Sequence, residues 1–170
     1  ESIGITNISG FSFENFYYKD YISDNYIFKK GDTTDPVTIP FKDRAFDAVF
    51  SVGVLEHVKE YGGNKINSLK EIYRVLKPGG IFICYHFPNK YSWIETLSKF
   101  IPNKFHHIDK LNKKEIKFLL KNTDFYLLEI GRYQFLPRSV ITKLVPSKLV
   151  NSLLFTMFFS TVDFCLSKIF

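Results

Sequence analysis

The sequence predicts an α/β protein with mostly parallel strands, and three consecutive segments carry that prediction. Residues 46–52 form a nearly continuous apolar run, which is typical of a parallel strand covered on both faces. Between residues 64 and 76, apolar side chains recur at three- and four-residue steps, so we expect an amphipathic helix there. Lys77-Pro78-Gly79-Gly80 ends that helix, and residues 81–85 form the next apolar strand. This order favours a mostly parallel sheet with helices on both faces.

Weaker patterns predict further elements before the apolar run. We expect a strand over 2–8, a helix over 11–21 that follows a Ser9-Gly10 turn, and a strand over 26–30. Prolines and an aspartate mark residues 33–44 as a loop.

After the strand at 81–85, the pattern is again helical and then extended. We expect helices over 91–100 and 113–121, and Asn112 with Glu115 resembles a capping box that opens the second of these. A strand is predicted over 125–133. The domain organisation we expect is an α/β domain over residues 1–137, followed by an apolar helical segment over 138–170.

Composition sets limits on partners and compartment. The 170 residues are enough for one sizeable core, and 45% hydrophobic with 24% charged residues is ordinary for a globular protein. The formal net charge is +6, but the lysines are scattered and no basic run is interleaved with aromatic residues, so no nucleic-acid partner is predicted. Cys84 and Cys165 lie far apart and form neither a metal-ligand pair nor a disulfide framework, which suits the cytoplasm.

One ordered series of short motifs gives the sequence a specific resemblance. The series comprises Gly31-Asp32, then Ile39-Pro40-Phe41-Lys42-Asp43, the run at 46–51, Leu55-Glu56-His57-Val58, and residues 71–80, which end in Lys77-Pro78-Gly79-Gly80. In this order and spacing it resembles the middle of a class I S-adenosylmethionine-dependent methyltransferase. The resemblance implies a Rossmann-like fold, S-adenosylmethionine as cofactor and methyl transfer as the reaction. It also implies that cofactor and substrate lie beyond the carboxyl ends of the strands.

The resemblance assigns cofactor-binding positions to three strand ends. Asp32 matches the acidic residue that accepts a hydrogen bond from the adenine amino group, with a plain Gly-Asp turn as the alternative, and Thr33 offers its backbone amide to the ring. Ser51, Val52 and Gly53 match the stretch that runs past the methionine portion, where Gly53 permits close approach. Asn7 occupies the position where the family usually carries the acidic residue that binds the ribose hydroxyls.

Candidate catalytic residues follow the same strand ends. His57 is a candidate for a polar side chain near the reacting methyl group, with a capping or packing role as the alternative. Tyr85 and His86 end the strand on the substrate side and are candidates for substrate contact or proton removal. Core packing explains Cys84. No metal is predicted, because the four histidines lack metal-ligand spacing.

Two departures from the family pattern leave a second interpretation open. Asn7 replaces an acid, and the first strand with its glycine-rich turn would precede Glu1, so we expect a chain truncated at its N-terminus. A non-catalytic methyltransferase-like fragment that acts as an interaction module is therefore the alternative to an enzyme. A nucleotide-sugar or nicotinamide enzyme is a third possibility, which Leu55-Glu56-His57-Val58 does not suit.

The C-terminal segment at 149–166 is strongly apolar with a polar stripe. We expect an amphipathic helix that covers the substrate pocket or lies on a membrane surface, with a membrane span as the alternative. The expected acceptor is a small molecule, lipid- or glycan-linked, and the expected location is the cytoplasm or its membrane surface. The sequence predicts no oligomeric state.

Overall fold

The computed structural model of the protein describes residues 7–13, 26–93, 96, 100, 107, 109–131, 146–150 and 152. The chain divides into two compact units. The first comprises residues 1–87 with 114–126, and the second comprises residues 88–113 with 127–170. The domain boundary predicted after residue 137 falls within the second range and stays a prediction.

The described strands form two parallel pairs, which confirms the α/β class. The first pair joins β1 (Ile8–Ser12) to β2 (Tyr26–Lys30), and the second joins β3 (Phe46–Val52) to β4 (Leu76–Tyr85). The described helices are α1 (Lys65–Val75), α2 (Lys113–Lys121) and the single turn α3 (Ser147–Val150). The sequence predicted one sheet, whereas within the described residues the two pairs are separate.

β1 begins later than predicted, and its position corrects two sequence-based expectations. The Ser9-Gly10 pair lies inside the strand rather than in a turn, and the helix predicted over 11–21 is replaced by strand at Phe11 and Ser12. Residues 14–21 of that helix, like residues 2–6 of the predicted strand, lie outside the described residues. The reason for glycine is packing: a Cβ at Gly10 would collide with the hydroxyl group of Tyr26 on β2.

The unit β3–α1–β4 follows the sequence pattern closely. Asn64 caps α1, with its side-chain oxygen accepting from the backbone N–H of Ile66 at 2.8 Å. The helix leads directly into β4 at Leu76, and the register between β3 and β4 then shifts where residues 77–80 bulge. Gly79 in this bulge has φ of 78°, a left-handed conformation that favours glycine. The helix already ends at Val75, so residues 77–80 belong to β4 rather than to the predicted helix end, and β4 begins before the predicted residue 81.

The core lies between α1 and the β3–β4 pair. Its buried members come mainly from the segment between β3 and β4, and its partly buried members are mostly aromatic. The buried side chains are Ile39, Leu55, Val58, Leu69, Ile72, Val75 and Leu76, surrounded by Phe11, Phe41, Phe46, Val49, Phe82, Phe87, Leu119 and Phe125. The burial of these apolar side chains is the main stabilising contribution to the first unit.

Within the described residues, one face of the β3–β4 pair is covered and the other is not, which corrects the prediction that β3 is buried on both faces. Val49 and Phe82 point toward the core. Neighbouring positions on the other face are exposed, with Phe50 at 63% and Val52 at 56%. Within the described residues, no helix covers this second face.

The strand predicted over 125–133 is not formed in its described part, because residues 125–131 have irregular backbone. Phe125 packs edge-to-face on Tyr73 of α1 with ring centroids 5.4 Å apart, whereas Tyr126 is 92% exposed. Of the helix predicted over 91–100, a bond from the Thr96 amide to the Ser92 carbonyl marks a first turn, and most of the rest lies outside the described residues.

Nearly all of the C-terminal segment at 149–166 also lies outside the described residues, so its role stays a prediction. Among the helices that the structure describes, none has the length and apolar content that crossing a membrane requires.

Candidate active site

The carboxyl ends of β3 and β4 lie side by side. Ser51 pairs in register with Cys84, and Val52 pairs with Tyr85. The backbone N–H of Gly53 donates to the carbonyl of Tyr85 at 3.3 Å, which holds the two strand ends together. The structure therefore brings together the predicted positions 51–53 and the predicted residues Tyr85 and His86.

Gly53 leaves an open position at this edge. Its φ of 65° is left-handed, which favours glycine, and the closest atom to a Cβ built there is Oε1 of Glu56, at 3.7 Å. The predicted close approach to Gly53 thus has a physical basis, and a carboxylate lies next to the space that the glycine leaves.

Glu56 is the most unusual side chain at this edge. It is 2% exposed, and its Oε2 atom accepts no hydrogen bond within the described residues. A buried carboxylate oxygen without a donor is costly, because it has lost its water and gained no hydrogen bond. Glu56 therefore has an unused hydrogen-bonding capacity that a ligand or another segment of the protein can satisfy.

The charge of Glu56 affects the pKa of two neighbouring groups, Lys65 and Cys84. Burial lowers the pKa of the Lys65 ammonium group and the charge of Lys59 lowers it further, while Glu56 opposes this shift. Burial of the Cys84 thiol and then the charge of Glu56 raise its pKa to about 11. Although Cys84 as a residue is exposed, protein atoms surround its sulfur closely enough to disfavour a thiolate. Cys84 is therefore a protonated thiol at neutral pH and a poor nucleophile.

The two histidines of this edge are held differently. The Nδ1 atom of His57 lies 2.9 Å from Oε2 of Glu60, one turn further along, so the ring is oriented by a carboxylate. His86 is exposed and has φ of 63°, an uncommon conformation for a residue other than glycine. Uncommon backbone conformations concentrate at functional sites, which keeps His86 a candidate.

Asp32 lies at the carboxyl end of β2, at the start of a tight turn. Its Oδ1 atom accepts from the Thr34 backbone N–H at 2.8 Å and from the Thr34 hydroxyl at 2.6 Å. These bonds, the hydroxyl first, hold the pKa of the carboxyl below its usual range, so Asp32 is an anion at neutral pH. Because both bonds fall on Oδ1, Oδ2 is left to accept from a ligand. Thr33, in the same turn, is exposed.

Asn7 is the predicted site residue that the structure places elsewhere. It immediately precedes β1 and is exposed, so it lies at the amino end of that strand. The sequence-based expectation placed it at the carboxyl end, because the strand was predicted to finish there. Since β1 and β2 are parallel, Asn7 is at the opposite end of the pair from Asp32. The structure does not bring these two residues together.

Comparison with known proteins shows what part of the chain is similar to. Residues 17–84 match the family model for the methyltransferase domain. The chain is 43% identical over 53 residues to probable tRNA methyltransferase 9B of Mus musculus, covering 30% of this chain and 11% of that protein. It is 33% identical over 92 residues to the ubiquinone/menaquinone biosynthesis C-methyltransferase UbiE of Bartonella tribocorum, covering 52% of this chain and 30% of that protein.

A solved structure also matches part of the chain. It is the S-adenosylmethionine-dependent methyltransferase of Thermotoga maritima, described as a possible histamine N-methyltransferase. It matches with 22% identity and a TM-score of 0.46, over 61% of this chain and 47% of that one.

Over residues 17–84 the chain is similar to the S-adenosylmethionine-dependent methyltransferases, as the motif series between Gly31 and Gly80 predicted. It spans 30% or less of the length of the two curated relatives described above.

The described residues fit the cofactor of this class at two positions. The adenine amino group needs an acceptor, and Oδ2 of Asp32 is one. The ammonium group of the methionine portion needs acceptors at short range, and the carboxylate of Glu56 has its Oε1 beside the open Gly53 and its Oε2 unsatisfied. Sequence reasoning missed Glu56 as a site residue. The available signal was its place between Leu55 and Val58, whose burial carries the intervening carboxylate inward.

Proposed function

We propose that the complete protein transfers a methyl group from S-adenosylmethionine to a small-molecule acceptor. The observation that carries this proposal is the juxtaposition of Ser51–Gly53 with Tyr85 and His86 at one strand edge, in a chain of methyltransferase sequence. The bound sulfonium cofactor supplies an activated methyl group, so the protein mainly has to bind, orient and exclude water.

Each of the proposed site residues then has a distinct task. Asp32 accepts from the adenine amino group, and Glu56 accepts from the ammonium group beside Gly53. Tyr85 and His86 face the acceptor, where His86 is able to take a proton from the group that becomes methylated. His57, oriented by Glu60, supplies a polar group at the entrance or stabilises the turn that carries Glu56.

The acceptor class we propose is a hydrophobic small molecule, free or linked to a lipid or glycan. The similarity to a quinone-biosynthesis C-methyltransferase supports it, as do the exposed apolar side chains Phe50 and Val52 beside the strand edge. The test uses the complete protein with S-adenosylmethionine labelled in the methyl group. Label is followed into an organic extract containing quinone precursors and, separately, into bulk tRNA.

Transfer into the extract supports the proposal. Transfer into tRNA alone contradicts the acceptor class, although not the enzyme. If the complete protein does not bind S-adenosylhomocysteine, both the acceptor class and the enzyme are contradicted, and the non-catalytic interaction module is favoured. The position of Asn7, away from Asp32, is the observation in favour of that second candidate.

His86 gives a sharper test of the acceptor side. Asn tolerates left-handed backbone well, so we expect His86→Asn to fold normally and to lower kcat about tenfold or more, with unchanged affinity for S-adenosylhomocysteine. His86→Gly is the second variant. It removes the side chain, keeps the backbone conformation and should lower kcat by as much. An unchanged kcat in both variants would remove His86 from the site.

A further inference from the structure

A network of charged side chains on α1 holds the segment that follows Asp32. The guanidinium group of Arg74 donates to the backbone carbonyls of Ile39 and Phe41, each at 2.9 Å. The same group binds both oxygens of Glu71, at 2.9 and 2.8 Å, and Oδ1 of Asp43 at 2.7 Å. Arg74 is thus bound to one helical neighbour and to three positions of the segment.

Glu71 completes the connection from the helix side. Its Oε2 atom accepts from the backbone N–H of Ile39 at 3.1 Å. Ile39 is therefore held at its N–H by Glu71 and at its carbonyl by Arg74, while its side chain is buried in the core. The planar guanidinium makes this geometry possible, because it offers several donors in fixed directions.

A chain of short-range hydrogen bonds leads from Ile39 back to Asp32. Oδ1 of Asp35 accepts from the backbone N–H groups of Val37 and Thr38, each at 3.2 Å. The N–H of Asp35 in turn donates to the carbonyl of Asp32 at 3.1 Å. Between Asp32 and Ile39, which α1 holds, most residues are thus hydrogen-bonded to a neighbour in the segment.

β2 holds the same segment from its other side. The ammonium group of Lys29 donates to the carbonyl of Pro40 at 2.8 Å and lies 4.7 Å from the centre of the Phe41 ring. The N–H of Gly31 donates to the carbonyl of Ser12 on β1 at 3.0 Å, which fixes the start of the turn. The segment from 32 to 43 is therefore fixed at both ends although it has no regular secondary structure.

We propose that Arg74 and Glu71 are positioning residues for the cofactor: they hold segment 32–43 in the conformation that presents Asp32 to the adenine end of the methyl donor. This inference rests on the proposed function, since it needs Asp32 to bind the cofactor. Neither side chain touches the ligand, and both act through the segment.

Lys77 provides a matched control for Arg74. It lies three residues further along, and its ammonium group binds both oxygens of Asp47 at 2.9 and 2.8 Å. Lys77→Gln removes one cation and its ion pair with Asp47, whereas Arg74→Gln removes one cation and its ion pairs with Asp43 and Glu71. Only Arg74→Gln removes contacts to segment 32–43. Arg74→Lys keeps the charge and loses the fork of donors, and it serves as the milder variant if Arg74→Gln does not fold.

The experiment measures two quantities in the complete protein. Amide hydrogen exchange of residues 34–39 is followed without cofactor, and the Kd for S-adenosylhomocysteine is measured by calorimetry. We expect Arg74→Gln to speed exchange about tenfold and to raise Kd about fivefold or more, with Arg74→Lys in between. Lys77→Gln should change each by less than about twofold.

A double-mutant cycle with Asp32→Ala separates positioning from general stability. If Arg74 acts through Asp32, Arg74→Gln adds little to the Kd of Asp32→Ala, whereas a merely structural role gives the same fold-increase in both backgrounds. Exchange in Arg74→Gln no faster than in Lys77→Gln would overturn the inference. Absence of S-adenosylhomocysteine binding in the unsubstituted protein would instead contradict the proposed function.

Discussion

At the scale of single residues, Asp32 determines the adenine end of the proposed site. We expect Asp32→Ala in the complete protein to weaken binding of S-adenosylhomocysteine about tenfold or more. The reason is the loss of the acceptor Oδ2, together with the turn that the carboxylate forms with Thr34. Calorimetry measures the effect, and unchanged affinity would show that the adenine pocket lies elsewhere.

Glu56 gives a prediction in which stability and binding change in opposite directions. Because Oε2 is buried without a donor, Glu56→Gln should raise the free energy of unfolding of the cofactor-free protein by about 1 kcal/mol. The same change should weaken cofactor binding, since the anionic acceptor is lost. Urea unfolding measures the change in stability, and calorimetry with S-adenosylhomocysteine measures the change in binding.

Ser68 of α1 is the matched control for Glu56. Its hydroxyl is the other buried polar side-chain atom without a partner in the described residues. Ser68→Ala should leave affinity for S-adenosylhomocysteine unchanged. A fall of both stability and affinity in Glu56→Gln would show that Glu56 has a structural partner.

At the scale of elements, the connection between α1 and segment 32–43 makes stability depend on pH. The hydrogen bond from Arg74, followed by that from the Ile39 N–H, holds the pKa of Glu71 below its usual value of 4.5. A carboxyl whose pKa is lowered in the folded state stabilises that state above its unfolded pKa. This contribution is lost as the pH falls through the folded pKa.

We therefore expect Glu71→Gln to lower the free energy of unfolding by about 1–3 kcal/mol at pH 7, because charged hydrogen bonds are lost. The difference from the unsubstituted chain should shrink as the pH falls below about 4.5. Urea unfolding at neutral and acidic pH measures it. Asp47→Asn, which breaks an exposed ion pair, should show almost no effect, and a difference independent of pH would contradict the assignment.

The elements that sequence predicts well here are those specified by local pattern. β2, β3 and α2 have their predicted bounds, and α1 differs only at its two end residues, since apolar periodicity and the Asn64 cap act within a few residues. β1 was misplaced because Gly10 was interpreted as a turn residue. The glycine instead makes room for Tyr26, a contact that no local pattern encodes.

The strand ends that carry most of the predicted site residues were located to the same extent and for the same reason. Motif order located the strand ends at Asp32, at Ser51–Gly53 and at Tyr85. Glu56 and Arg74 escaped notice because their roles depend on burial and on residues more than thirty positions away, as in the bond from Arg74 to the Ile39 carbonyl. Such tertiary contacts are not visible in a single sequence.

At the scale of the whole molecule, the exposed face of the β3–β4 pair is the feature that we expect to bind hydrophobic dyes. Phe50, Val52, Ile81 and Tyr85 share this face and are each about half exposed or more. Exposed apolar faces of this kind bind hydrophobic dyes and promote association. We expect Phe50→Ser in the 170-residue chain to reduce dye fluorescence roughly twofold with little loss of stability.

Phe118 on α2 is the control for that measurement. Its exposed fraction, 66%, is close to the 63% of Phe50, but it lies on a helix. Phe118→Ser should change dye fluorescence less than Phe50→Ser does. Equal changes would show that the dye reports exposed rings in general rather than this face.

The segment from β3 to β4 also has a consequence for the order of folding. It contributes six of the seven buried core residues within forty consecutive positions, and Ile39 is the one from outside. Because segments that are close in the sequence lose little chain entropy when they pack together, we expect this unit to form early in folding and to unfold last. The turn at Asp32, which we propose binds the cofactor, precedes this unit in the sequence. A refolding chain would therefore assemble the proposed acceptor edge first, and the proposed adenine end would settle onto a scaffold already folded.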